Sequence, residues 1–471
     1  MATHRLSPNE GWFADTAFHL ASTGRLGTTI LEGKGTWLEG IDRRTYWILP
    51  LHPLCLALVF RIFGLGVWTM RALSVAWGVV ALVAWFWIMR ALAGTRIALA
   101  AVLLAATDYH VVVVGSFGRM DMMCAALGSC GLAAYLGLRE RSLPAAMLAS
   151  HGLAAAACLT HPCGALYVAG LIVTALQLDR RRLTWRIVTL AALPYLAGAS
   201  GYGAYILQDP RLFARQFFGN VSGLAGEASN LTRFSGLRDP LGALRREVVE
   251  RYGNAFNATG KWTPARLQGV VLIAYVGSVL VALMDAALRR QRAVRVLLGL
   301  IGTTWVMLWL LDGLKLKVYV VHIVPAFAGL TTLWIWNWTE GLPRRRFAAV
   351  AAMVAIQVAG VAQAAREYSY RNEYLAAVQY LKQRARPDSL IMASAEFGFA
   401  FGFDRNVTDD MRLGYHTGKR PEFYVDSQWY EEWMRGAETR EPAVYQHVRR
   451  TLAEHYREEL RNYDYTIYRQ K

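Results

Sequence analysis

Four short stretches of this 471-residue chain carry carboxylates, fixed cations or both. Glu10 and Asp15 lie in the run SPNEGWFAD that starts at Ser7. Glu39, Asp42, Arg43 and Arg44 close the polar segment that follows. Arg119 and Asp121 are separated by one residue between apolar runs, and Lys315, Lys317 and Tyr319 alternate ahead of another. These residue types suit a displacement. A carboxylate takes the proton of an attacking hydroxyl, while arginine or lysine holds a phosphate leaving group. Asp108 and His110 interrupt an apolar run, and His161 closes one. Polar groups at such depth are costly and mark functional candidates.

Each of these also has a structural explanation. Glu10 and Asp15 fit a solvated surface helix, Arg119–Asp121 a salt bridge at a helix end, Lys315 and Lys317 anchors at lipid headgroups, and His161-Pro162 a turn. They point to chemistry because all of them fall on one side of the same set of apolar segments.

Those segments must position the candidates. The chain is 55% hydrophobic and 18% charged, where a soluble protein would be about 25% charged. Apolar runs long enough to cross a hydrocarbon core about 30 Å thick recur at 68–89, 97–114, 121–138, 144–159, 163–178, 185–207, 266–288, 295–311, 317–336 and 347–364. A polytopic helical membrane protein of about ten spans follows. Fifteen arginines fall in alternate gaps, from Arg90 and Arg96 to Arg344, Arg345 and Arg346. Positive residues favour the cytoplasmic side, so the candidates all face outward. The formal charge of +17 thus belongs to membrane orientation, and nucleic acid is not an expected partner. The five cysteines lie in or beside apolar runs without a CxxC metal pair.

Residues 46–63 are apolar but carry two prolines, His52 and Arg61, which predicts a helix lying along the outer surface. With ten spans the N-terminus would lie outside, so a further span is expected upstream of Pro8. Three regions are expected: 1–66 as a first outer loop with interfacial helices, 67–365 as the membrane domain with an outer loop at 208–265, and 366–471 as a small soluble α/β domain. In that last domain the pattern predicts a helix over 374–384, a strand over 389–393, a loop at 409–415 and a helix over 442–461.

The order of these features resembles the GT-C-type integral-membrane glycosyltransferases, of the bacterial group similar to protein O-mannosyltransferases and aminoarabinose transferases. Pro8-Asn9-Glu10-Gly11-Trp12-Phe13-Ala14-Asp15 stands where that family has an Asp-Glu pair. Thr45-Tyr46-Trp47, Phe63-Gly64 and Thr69-Met70-Arg71-Ala72-Leu73 match its next landmarks. Gly118-Arg119-Met120-Asp121 resembles its second acidic loop, and Leu316-Lys317-Val318-Tyr319, with Pro325, its late lysine-tyrosine-proline segment. One departure stands out: the family's first acid is Asn9 here, and an amide does not take up a proton at useful pH.

The resemblance implies inverting transfer of a sugar from a polyprenyl-phosphate donor to a hydroxyl on a protein, lipid or glycan at the outer face of the inner membrane. Glu10 would act as base or orient the acceptor, with Asp121 and Asp15 as further catalytic candidates. Arg43, Arg44, Arg119, Lys315, Lys317 and Tyr319 would hold the donor phosphate. Asn9, Glu39, Asp42, Asp108 and His161 would shape the sugar and acceptor site. Some relatives bind a divalent cation, although no ligand spacing here demands one. The alternative from another class is a transporter or flippase of a lipid-linked or anionic solute, for which few mid-span charges are present.

Overall fold

The computed structural model describes residues 3–221, 234–257, 267–366, 368–403 and 406–471. The chain opens with helix α1 (Pro8–Thr23), set by local chemistry. Ser7 is its N-cap, Pro8 takes the first-turn position where a missing N–H costs nothing, and Glu10 closes a capping box. Gly24 ends it in the left-handed region, at φ 74°. Helix α2 (Leu51–Phe63) has 13 residues, too few to cross a bilayer. It buries His52, Leu56, Ala57 and Phe60 and exposes Leu54, Leu58 and Ile62 at helical spacing. One apolar stripe is therefore left partly uncovered, as expected of a helix lying in a membrane surface.

All ten apolar runs read from the sequence contain helix. Among the described residues seven helices are long and apolar enough to cross a membrane, including α3 (Val67–Ala93), α6 (Met120–Leu138), α7 (Leu143–Thr160) and α9 (Trp185–Ile206). An eighth span is possible as a broken pair, α4 (Thr95–Thr107) and α5 (Tyr109–Ser116), bent by 59°. Asp108 causes the break: it leaves helical geometry and accepts the His110 backbone N–H at 2.9 Å as N-cap of α5. Helices α8 (Gly164–Asp179) and Val324–Trp338 are shorter, with 16 and 15 residues. The supported count among the described residues is thus seven or eight rather than ten.

The tail builds a five-stranded sheet in the order β2-β1-β3-β5-β4. The strands are β1 (Ile391–Met392), β2 (Val407–Thr408), β3 (Phe423–Ser427), β4 (Tyr456–Arg461) and β5 (Tyr465–Gln470). β1 pairs parallel with β2 and β3, whereas β5 runs antiparallel to β3 and β4. The expected helix at 442–461 stops at His455, because the final six residues become an edge strand on β5. A helix at Gln428–Arg440 was not expected from the sequence.

The first polar stretch and the tail share one hydrophobic core. Leu6, Trp12, Phe13, Ile30 and Ile48 pack with Tyr374, Phe397, Phe423 and Ile467. The Trp12 Nε1–H donates to Asp409 Oδ2 at 2.8 Å, and Leu31 bridges Asp409 as an added parallel strand position. At Gly11 a side chain would overlap the Ala395 backbone, so α1 can lie this close only with glycine there.

Candidate active site

Asp121 lies in the first turn of α6 and is fully buried. Arg119, the N-cap residue of α6, donates from Nε to Asp121 Oδ2 at 2.8 Å, while Oδ1 has no hydrogen-bond partner. Three histidines are near enough for their charge to act on this carboxylate or on Arg119: His52 of α2, His161 at the end of α7, and His322. His322 closes the 3-10 turn Lys317–His322, which also carries Tyr319. The Tyr319 hydroxyl is 3.4 Å from His161 Nε2, and Tyr167 meets His322 Nδ1 at 3.0 Å. His52 Nδ1 and His322 Nε2 are buried without partners, like Asp121 Oδ1. Buried polar atoms are almost always satisfied, so three orphans in one neighbourhood mark a place built for a polar guest.

Glu10 is tied down beside this group. Its oxygens accept from Arg71 Nε and Nη2 at 2.8 and 3.0 Å, from the Gly118 N–H at 2.9 Å and from the Ser7 N–H at 3.0 Å. Arg71 also donates to the carbonyls of His4 and Arg5. Glu10 therefore joins α1 to α3 and to the loop that presents Arg119 and Asp121. Asn9 sits half-buried beside it.

Arg43 and Arg44 line a cavity of about 970 Å³ with Arg25. Leu51 and Leu54 of α2, Leu159 of α7, and Ala197, Tyr202 and Tyr205 of α9 give it mostly apolar walls. Arg44 donates to Gln208 and lies 5.9 Å from the Tyr205 ring centre. One helix serves both places: α2 turns Leu51 and Leu54 to the cavity and His52 towards Asp121.

The other candidates lie elsewhere. Asp15 is buried and accepts from the Thr29 and Ile30 N–H groups and the Thr29 hydroxyl, which fixes α1 to that strand-like segment. Burial raises its pKa to about 7 despite those bonds. Glu39 is exposed in a loose pair with Arg215, and Asp42 is exposed. Asp108 accepts from Tyr275 at 2.9 Å and from His110, outside the Asp121 group. Lys315 is buried, at φ 54°, with Nζ on Glu247 at 2.9 Å and on the Leu308 and Trp309 carbonyls, so all three of its donors are engaged. Lys317 is exposed at the start of the 3-10 turn.

Among the described residues no three His, Cys, Asp or Glu side chains converge as metal ligands. The side chains of the Asp121 group do not converge on one point, and no cation is assigned to it.

Sequence reasoning placed Arg71 only as a landmark of α3. The signal for more was there, since a lone arginine four residues into an apolar helix demands a buried partner. The pair Glu247 and Arg251, joined at 2.8 Å and extended to Asp312 at 2.7 Å, gave no such signal within the polar loop.

Residues 49–203 match the family described as dolichyl-phosphate-mannose-protein mannosyltransferase. The matched third includes Arg71, Arg119, Asp121 and His161, but neither Glu10 nor Lys317. No curated protein sequence matches the chain. By fold it is similar to ArnT from Cupriavidus metallidurans bound to undecaprenyl phosphate, with a TM-score of 0.63 at 16% identity, covering 99% of this chain and 94% of that one. It is similar to the Archaeoglobus fulgidus oligosaccharyltransferase in complex with zinc and sulfate, with a TM-score of 0.58 at 13% identity, covering 93% and 66%. AglB from the same archaeon, in complex with an inhibitory peptide and a dolichol-phosphate, gives 0.54 at 12%, covering 94% and 69%. The chain thus shares the fold of ArnT and of the archaeal oligosaccharyltransferase, its long apolar helices are those of an integral membrane protein, and the family match over 49–203 agrees with the resemblance drawn from motif order.

Proposed function

We propose that this protein moves a sugar from a polyprenyl phosphate to an acceptor hydroxyl at the outer face of the inner membrane, with inversion. The observation that carries the reading is the cavity with apolar walls under Arg43 and Arg44, one wall of which, α2, also brings His52 within electrostatic reach of Asp121. An apolar slot below two guanidinium groups has the chemistry of an isoprenoid chain ending in a phosphate. ArnT and AglB have been captured with such lipids.

In this mechanism Asp121 Oδ1 accepts the proton of the acceptor hydroxyl. The acceptor oxygen bonds to the anomeric carbon as the bond from that carbon to the phosphate oxygen breaks. The electron pair stays on the phosphate, where Arg43 and Arg44 stabilise it, and Arg119 holds Asp121 in place. Direct displacement of this kind inverts the anomeric centre. Glu10, whose oxygens are all engaged, positions the 118–121 loop rather than taking a proton. Asn9 need not be an acid under this scheme, which removes the difficulty its amide raised. Tyr319, His161 and Lys317 border the acceptor side. Lys315, Asp15 and Asp108 hold local structure, and Glu39 and Asp42 lie on the outer rim. We further propose ten spans, with the two short helices and the broken pair counted, and 1–66, the 208–265 loop and 366–471 all on the outer side.

The test is release of polyprenyl phosphate from candidate polyprenyl-phosphate sugars by the purified protein in detergent. Release by the wild type that is lost in Asp121→Asn supports the reading. Equal release by both would overturn the assigned base, and no release from any donor, with envelope glycans unchanged on gene deletion, would overturn the function.

A further inference from the structure

At the end of α8 opposite His161 lies a second cavity, of about 360 Å³, lined by Leu176, Gln177, Leu178 and Asp179 and by the three arginines 180–182. Its floor is a built ion cluster. Asp179, 2% exposed, accepts from Arg139 at 2.6 and 2.9 Å, from the Tyr135 hydroxyl at 2.6 Å and from Arg182 at 2.9 Å. Arg182 also donates to the Arg139 carbonyl at 3.0 Å. Asp179 is thereby more than neutralised, and Glu140, the other acid nearby, pairs with Arg139 and Arg182. Arg180 and Arg181 are exposed on the cavity and make no ion pair among the described residues. The cup therefore carries an uncompensated positive charge.

What adjoins it decides the ligand. Ile172 and Leu176 are 49% and 48% exposed, one turn apart on α8 and in line with Arg180. Trp185, 73% exposed, follows three residues after the arginines, with the Arg186 guanidinium 5.6 Å from its ring. An aromatic ring and arginines at the end of an apolar helix sit at headgroup depth. A soluble anion would use the cations alone; only a lipid uses the apolar stripe as well. We infer that the 176–182 turn binds an anionic phospholipid, its phosphate between Arg180 and Arg181 and an acyl chain along Ile172 and Leu176. Basic pockets at the ends of spans recognise such headgroups through phosphate charge. This site is independent of the transfer chemistry.

The test is native mass spectrometry of the detergent-purified protein with phosphatidylglycerol or cardiolipin, phosphatidylcholine as the neutral reference, and inorganic phosphate as competitor. Retained anionic lipid is expected to exceed phosphatidylcholine and to fall on the order of thirtyfold in Arg180→Gln/Arg181→Gln. The control Arg344→Gln/Arg345→Gln removes an equally exposed arginine pair and is expected to leave it unchanged. A photoreactive phosphatidylglycerol on the wild type should label 172–186, which guards against a variant that misfolds. Equal loss in the control, no preference over phosphatidylcholine, labelling elsewhere, or displacement by millimolar phosphate would overturn the site.

Discussion

Glu10 and Arg71 are 61 residues apart in the chain and form a two-pronged ion pair at 2.8 and 3.0 Å, both side chains fully out of water. The same carboxylate caps its own helix at Ser7 and accepts the N–H of Gly118, three residues before Asp121. One side chain thus fixes the first polar stretch, the start of α3 and the second acidic loop together.

Removing one partner of a buried pair strands the other charge, at a cost of about 3–5 kcal/mol. Glu10→Gln is expected to lower the unfolding temperature markedly and to abolish transfer. Adding Arg71→Met removes the stranded charge, so the double variant should regain part of both stability and activity. Scanning fluorimetry with a donor-turnover assay reads the two together. Restored stability without any activity would make Glu10 itself the base.

Asp121→Asn keeps the shape of the side chain but loses the proton acceptor. Turnover is expected to fall on the order of 10²–10⁴-fold with polyprenyl-phosphate binding little changed, while the unfolding temperature falls because Arg119 loses its buried partner. A fall in binding equal to the fall in turnover would count against the role.

Arg43→Gln and Arg44→Gln should each weaken polyprenyl-phosphate binding about tenfold or more, as expected for a lost hydrogen bond to a charged group. Displacement of a fluorescent polyprenyl phosphate measures this. Arg25→Gln, at the same rim, is expected to do less, and identical effects at all three would point to general charge rather than a phosphate seat.

Three buried carboxylates occupy the junction of α1 with the tail. Burial pushes Asp15 and Glu396 up to about 7 and Asp409 to about 6. The folded state then holds protons that the unfolded chain has already released, so stability falls as pH rises from the ordinary carboxylate range through about 7. The unfolding temperature followed by tryptophan fluorescence is expected to drop by several degrees between pH 5.5 and 8. An increase over that interval would contradict the burial of these groups.

Much of this arrangement was legible because membrane burial makes polar residues conspicuous. Asp108 interrupts an apolar run and breaks a span, and Arg119–Asp121 opens one. Partnership across long separations was not legible. Lys315 reads as a headgroup anchor until Glu247 arrives from the 208–265 segment to neutralise it. Tyr456–Arg461 continues a helical pattern until β5 offers it a strand edge, which is tertiary pairing overriding local preference. Arg43 and Arg44 showed their charge in the sequence, but the apolar cavity beneath them required α2, α7 and α9 to be brought together.

The bond between Trp12 and Asp409 spans 397 residues. At roughly 5–20 residues per second, the ribosome needs about 20–80 s to supply the second partner after the first has emerged. Throughout that interval Trp12, Phe13 and Ile30 have no tail to pack against, while the spans between are entering the bilayer one after another. The junction between α1 and the tail is therefore completed late, and Trp12 and its neighbours wait, exposed to proteases and holding chaperones, for a partner that lies 397 residues further along the chain.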